Sequence, residues 1–198
     1  MSLLDAKDVA IERGDRSLLR GISLSVEAGE LWQLIGPNGV GKSSLIRALA
    51  GLARLGVDGD ICRSAAALYI GHSSALKRAL TPVDNLRCHP ACDVTVGDEQ
   101  IAQALQSVSL AGYESVPVGA LSAGQQRRVA LARLLLSDAR LWFLDEPFTA
   151  LDAMGCEWLE QQIAEHIQLG GAVLFTSHQQ SRFGAQQHNL DLSLYVSA

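Results

Sequence analysis

No apolar run in these 198 residues reaches the roughly 20 that a membrane-spanning helix needs. Leu134 to Leu144 is interrupted by Asp138 and Arg140. The sequence therefore predicts a chain that does not cross a bilayer. The start, Met1 to Asp8, has neither the basic opening nor the apolar stretch of a signal peptide, which predicts residence in the cytoplasm. Basic residues are also scarce, with 16 Lys and Arg against 21 Asp and Glu and a formal charge of −5. Affinity for phosphate backbones comes mainly from clustered Lys and Arg, so nucleic acid is not an expected partner. The four cysteines, Cys62, Cys88, Cys92 and Cys156, lack paired C-x-x-C spacing, which excludes the usual zinc and disulfide frameworks. Cys88, His89 and Cys92 form a short thiol and imidazole cluster whose functional reading is a metal or haem ligand set, and we read it as incidental. Charge is low at 19% and apolar content is 48%, which excludes intrinsic disorder. A chain of this length builds one domain with a substantial core, not two full-sized ones.

The pattern along the chain alternates strand and helix. Leu3 to Ile11 reads as a strand, and Ile22, Leu24 and Val26 alternate with polar residues as in a half-buried strand. After the turn at Ala28-Gly29-Glu30, Leu31 to Ile35 reads as a buried strand and Lys42 to about Leu49 as a helix. Ala66 to Ile70 is a further strand. Thr81 and Pro82 mark a helix start, with Thr81 as N-cap. The middle, about 73–119, is expected to be mostly helical. Strand (Leu141 to Leu144), helix (Ala153 to Gln168) and strand (Ala172 to Thr176) follow, and Leu190 to Val196 alternates like a closing strand. This succession predicts an α/β fold with a mostly parallel sheet, an antiparallel β edge and a helical subdomain at about 73–136, inserted in a core of about 1–72 and 137–198.

Gly36, Pro37, Asn38, Gly39, Val40, Gly41, Lys42 and Ser43 match G-x-x-x-x-G-K-[ST], followed by Ser44, between a predicted strand and a predicted helix. Glycines allow the tight turn whose N–H groups face phosphate oxygens, and the helix N-terminus adds positive potential. Lys42 is then placed for the β- and γ-phosphates of ATP, and Ser43 for Mg²⁺. Leu141 to Leu144 ends in Asp145 and Glu146, at the strand end where parallel sheets bind ligands. Asp145 is the expected Mg²⁺ partner, and Glu146 the group that orients the attacking water. Ser122 and Gln125 have capping-box spacing at the start of an Arg-rich helix. With Gly124 they make either a capped helix start or an anion site, whose phosphate belongs to another molecule's ATP.

Taken together, GPNGVGKSS (Gly36 to Ser44), LSAGQ (Leu121 to Gln125), LWFLDEP (Leu141 to Pro147), ALD (Ala150 to Asp152) and Ser177-His178 resemble the ABC ATPase family, in its order of motifs and over nearly the whole chain. Within that family, Ile70-Gly71-His72, LSAGQQRRVALARL (Leu121 to Leu134) and LWFLDEPFTALD (Leu141 to Asp152) are similar to the ATP-binding subunits of haem exporters used in cytochrome c maturation. The resemblance implies a P-loop NTPase that works as a head-to-tail homodimer of cassettes with integral membrane permease subunits, on the cytoplasmic face of the inner membrane. It implies that Ser122 and Gly124 of one copy close on the γ-phosphate bound by the other, that His178 contacts that phosphate, and that Asp152 links the two sites.

The sequence departs from the family pattern twice. The family's Mg²⁺-contacting glutamine is replaced by Ser73, after His72. The adenine-stacking aromatic is replaced near Arg13, whose guanidinium plane is able to stack on a base. An exporter ATPase for a lipid or drug carries the same motifs. A small-molecule kinase lacks the LSAGQ and Ser177-His178 pair, and DNA-repair or translation relatives need a long coiled coil or two cassettes.

Overall fold

In the computed structural model, residues 2–14, 16–90, 92, 96–177, 183, 184 and 187–196 are described. In chain order the strands are β1 (Ser2–Arg13), β2 (Arg16–Glu27), β3 (Leu31–Ile35), β4 (Val57–Arg63), β5 (Ala67–Ile70), β6 (Leu141–Asp145), β7 (Ala172–Thr176) and β8 (Gln187–Asp191). The α-helices are α1 (Lys42–Leu49), α2 (Pro82–Arg87), α3 (Asp98–Ser107), α4 (Ala123–Leu131) and α5 (Ala153–Gln168). They divide between two units: Met1–Tyr69, Ala139–Pro147 and Gln162–Ala198 form the first, and Ile70–Asp138 with Phe148–Gln161 the second.

The first unit holds two sheets. β1 is the centre of an antiparallel sheet ordered β2-β1-β4. Its alternation puts Leu4, Ala6, Val9 and Ile11 inside with Ile22, Leu24 and Val26 of β2. A register shift between Ala6 and Val9 is accompanied by a positive φ of 49° at Asp8, the mark of a bulge that bends and twists the strand. The other sheet has the order β5-β6-β7-β3-β8, and the pairs β6–β7, β7–β3 and β3–β8 are parallel. β6 and β7 are buried at every position, and their sequences are apolar runs, not alternating ones, up to the polar last residues Asp145 and Thr176. Leu45, Ile46 and Leu49 on one face of α1 join Leu34, Phe143 and Leu174 of the parallel sheet, and Leu4, Ile22 and Val26 of the antiparallel one, in a single core. Truncating a core aromatic such as Phe143 to Ala costs about 3–5 kcal/mol.

The second unit packs around Leu86, Ile101, Leu105, Val118, Val129 and Ala132. Its helices are shorter than the sequence suggests. Between 73 and 119 the described helical segments are α2, α3 and the start of a 3₁₀ turn at Val118–Ala120, so the expected mostly helical middle is corrected. The buried Asn85 explains part of the difference: it accepts from the Lys77 N–H (2.7 Å) and donates to the carbonyls of Lys77 (3.0 Å) and Thr81 (2.9 Å). One amide side chain thus satisfies backbone groups that a helix would have satisfied internally. Thr81 caps α2 and Pro82 is its first residue, as the sequence indicates.

Two further corrections concern the first unit. The closing strand expected at Leu190 to Val196 instead starts at Gln187 and stops at Asp191, and Leu192–Tyr195 is a 3₁₀ turn. Asp191 causes the break, because its carboxylate accepts from the Ser193 N–H (2.9 Å) and hydroxyl (2.7 Å). β4 is an addition to the expected strands, since Asp58, Gly59 and Asp60 interrupt its apolar pattern and leave it mostly exposed.

Candidate functional site

The parallel register across β6, β7 and β3 sets up the site. Asp145 stands opposite Thr176, and Leu34 also pairs with Thr176, so three strands end together. The chain leaving β3 turns through Gly36 to Gly41 into α1. Gly39 (φ 80°) and Gly41 (φ 116°) adopt left-handed conformations, and a Cβ on Gly41 lies 3.0 Å from Leu19 Cδ1. Only glycine takes both the angle and the space without strain. Pro37, Asn38 and Gly39 are exposed at the turn, and Val40 is buried.

Lys42 is the first residue of α1 and is buried, and its ammonium donates to the carbonyls of Gly36 (2.8 Å) and Pro37 (3.2 Å). The loop thus wraps around its own cation. Ser43, one residue on, donates its hydroxyl to Asp145 Oδ1 at 3.0 Å, across 102 positions of sequence. Asp145 is fully buried, and Oδ1 also accepts from the Thr176 hydroxyl at 2.8 Å. A hydroxyl and a carboxylate side by side are hard oxygen donors, the set that Mg²⁺ prefers, and the residues present fit that ion.

Two residues outside the sequence motifs complete the surroundings of Asp145. The Tyr69 hydroxyl on β5 lies 3.3 Å from Asp145 Oδ2, and Arg47 Nε on α1 donates to the Tyr69 oxygen at 3.0 Å. Burial, with a further contribution from Asp145, holds the phenol above its usual pKa. Thr176 is the other, and its signal in the sequence is a hydroxyl ending an otherwise apolar strand. Besides donating to Asp145, it accepts from the Glu146 N–H at 2.8 Å. Glu146 itself has φ 50°, a left-handed angle for a residue with a side chain. Such a conformation costs on the order of 1–3 kcal/mol, persists only where surroundings over-determine it, and is concentrated at functional sites.

In the second unit, Ser122 and Gln125 form the capping box that their spacing suggests: the Ser122 hydroxyl accepts from the Gln125 N–H (3.2 Å), and Gln125 Oε1 from the Ser122 N–H (2.9 Å). Gly124 is small for a reason, since a Cβ there meets the Ala150 carbonyl oxygen at 2.9 Å. Asp152 accepts from the Gly155 N–H (2.8 Å) at the start of α5 and pairs with Arg128 Nη2 at 2.6 Å. Those bonds, the Gly155 N–H first, hold its carboxyl below the usual range. Buried Arg127 donates to the Gly71 carbonyl (2.6 Å), and buried Arg133 to those of Ser74 (3.1 Å) and Ala75 (3.2 Å), so two arginines hold the segment around exposed Ser73.

Arg13 is exposed at the last position of β1, opposite Arg16. His178 lies outside the described residues. Cys88 is exposed and Cys92 buried, and among the described residues no group of three or more His, Cys, Asp or Glu is arranged to hold a metal.

The sequence profile of the ABC transporter family matches residues 19–149, which include the Lys42 loop, the Ser122 cap and the Asp145-Glu146 strand end. The chain belongs to the ABC transporter family. Relatives within this ABC family include the cytochrome c biogenesis ATP-binding export protein CcmA of Tatumella citrea, 48% identical over 89% of this chain and 89% of that protein. The protein of the same name from Hahella chejuensis is 42% identical over 96% of this chain and 95% of its own length. Among solved structures, an ABC transporter ATP-binding protein from Pyrococcus furiosus superposes with a TM-score of 0.81 and 25% identity, covering 98% of this chain and 99% of that one. The fold is thus that of an ABC-type ATP-binding cassette, with its parallel and antiparallel sheets.

Proposed function

We propose that this ABC-family chain is the ATP-hydrolysing subunit of a membrane transport complex for cytochrome c biogenesis. The observation that carries the reading is the contact of Ser43 Oγ with Asp145 Oδ1 at 3.0 Å, beside a lysine held inside its own glycine loop. Sequence places these groups far apart, and a phosphate-bearing substrate with its cation is what such a meeting serves.

Gly36 to Ser44 receive the phosphates of ATP, and Lys42 exchanges the Gly36 and Pro37 carbonyls for β- and γ-phosphate oxygens. Ser43 and Asp145 would hold Mg²⁺, and Ser73 takes the sequence position of the family's glutamine. Bound there, Mg²⁺ draws off charge from the phosphate oxygens. Arg13 stacks on the adenine. Glu146, its backbone held by Thr176, orients a water that attacks the γ-phosphorus; the bond to the bridging oxygen breaks, and ADP and phosphate leave. His178 adds a contact to the γ-phosphate. Ser122, Gly124 and Gln125 of a second copy complete the site in a head-to-tail homodimer, and Asp152 connects the two sites.

The names of the relatives support export in cytochrome c biogenesis as the setting. The driven step in this reading is export of haem or release of a haem-loaded chaperone. Among the described residues no helix is long and apolar enough to cross a membrane. In this reading the chain is a peripheral subunit docked on integral permease subunits at the cytoplasmic face of the inner membrane. The test is Glu146→Gln. It is expected to keep ATP binding, lose turnover and accumulate as an ATP-bound dimer in size-exclusion chromatography. Turnover at the parent rate overturns the assignment.

A further inference from the structure

We propose that Tyr69, braced by Arg47, is a positioning residue for the Asp145 carboxylate and thereby sets how tightly the nucleotide's divalent cation is held. The inference rests on the reading of Asp145 as a cation ligand made above, and adds to it a contact that lies outside the P-loop and the strand-end carboxylate pair.

Geometry makes the case. Both hydroxyls that reach Asp145 from α1 and β7, those of Ser43 (3.0 Å) and Thr176 (2.8 Å), bond the same oxygen, Oδ1. The rotation of a carboxylate about its terminal bond is soft, so a contact on the second oxygen restrains the plane of the group in a way that bonds to the first oxygen alone do not. Tyr69 approaches Oδ2 at 3.3 Å, from β5. That contact restrains the plane from the second oxygen. Arg47 Nε donates to the phenol oxygen at 3.0 Å, which occupies a lone pair and directs the phenol's own proton toward Asp145. Arg47 shares α1 with Ser43, so one helix supplies a direct partner of Asp145 and the brace for another.

The energetic consequence follows from the cation. Mg²⁺ demands near-ideal octahedral placement of its ligands and tolerates little rotation of a carboxylate. Groups that orient a metal ligand from behind typically contribute 10- to 100-fold to metal affinity. A contact of 3.3 Å belongs at the low end of that range. Tyr69→Phe removes one oxygen and keeps the ring.

The experiment titrates Mn²⁺, in place of Mg²⁺, into the full chain saturated with ADP, and reads free Mn²⁺ by electron paramagnetic resonance. Tyr69→Phe is expected to weaken Mn²⁺ binding about tenfold, while affinity for a fluorescent ADP analogue in EDTA stays at the parent value because the Lys42 loop is intact. Asp145→Asn runs in parallel. If Asp145→Asn weakens Mn²⁺ binding and Tyr69→Phe does not, the positioning role is wrong and the reading of Asp145 stands. If Asp145→Asn has no effect, the reading beneath the inference fails. Equal losses with and without the metal mean that Tyr69 supports the loop in general, and also overturn it. A double-mutant cycle with Arg47→Ala tests the brace: loss of Arg47 is expected to matter less once Tyr69 is Phe, and strictly additive effects exclude it.

Discussion

Replacing Thr176 by Val is the sharpest test of how the site is built. The side chain is fully buried, and valine matches it in shape while turning one hydroxyl into a methyl. That hydroxyl donates to Asp145 Oδ1 at 2.8 Å and accepts from the Glu146 N–H at 2.8 Å. A hydrogen bond to a charged group contributes about 1.5–3 kcal/mol, and the bond from the half-buried Glu146 N–H about 0.5–1.5 kcal/mol. The two share an atom and do not add in full, so about 3 kcal/mol is the working loss. In a chain of this size each kcal/mol lowers the melting temperature by roughly 2–4 °C, which places the expected drop at roughly 6–12 °C. Thermal unfolding followed by circular dichroism measures it, with Thr176→Ser expected to recover most of the loss. Steady-state ATPase kinetics supply a second readout. Because Thr176 holds the left-handed backbone of Glu146 while the Lys42 loop is untouched, kcat is expected to fall further than ATP affinity. A melting temperature within about 2 °C of the parent refutes the energetic argument. Equal losses of kcat and ATP affinity refute the assignment of Thr176 to the Glu146 side of the site.

Gly124→Ala places a methyl 2.9 Å from the Ala150 carbonyl oxygen. Since backbone yields little, local separation of α4 from the Ala150 turn is expected, with loss of ATPase activity under conditions where ATP binding, measured by fluorescence titration, is retained. His89 predicts a pH dependence. Burial first, and the Arg133 charge second, lower its pKa from 6.5 to about 4. The unfolded chain therefore binds more protons between those two values, so stability is fully present above pH 6.5 and declines as pH falls toward 4. Urea midpoints measured across that window are expected to fall more steeply for the parent than for His89→Gln, and parallel curves would contradict the assignment.

Local chemistry makes part of this protein legible in its sequence. The strands at Leu31–Ile35 and Ala172–Thr176 and the helices at Lys42–Leu49 and Ala153–Gln168 stand where periodicity, turns and caps place them, because each is specified by residues within one or two turns of itself. The Lys42 loop and the capping box of Ser122 and Gln125 are local in the same sense: backbone angles and short-range hydrogen bonds define them. The middle of the chain departs from its pattern because one Asn85 amide, not a helix, satisfies the backbone around Lys77 and Thr81. β4 escapes its pattern because pairing with β1 outweighs a polar composition. The Asp145 site is the opposite case. Its motifs name Ser43 and Asp145, but only the register of β6, β7 and β3 brings Thr176 beneath them, and only the packing of β5 and α1 in the first unit delivers Tyr69 and Arg47 to the other oxygen. Those contacts join residues separated by 22 to 102 positions. The sequence by itself determined the glycine loop with its lysine, the capping box and where the chain turns; the tertiary structure decided which side chains hold the acid in place, because hydrogen bonds across a sheet depend on strand order, and strand order is set by the packing of the whole core.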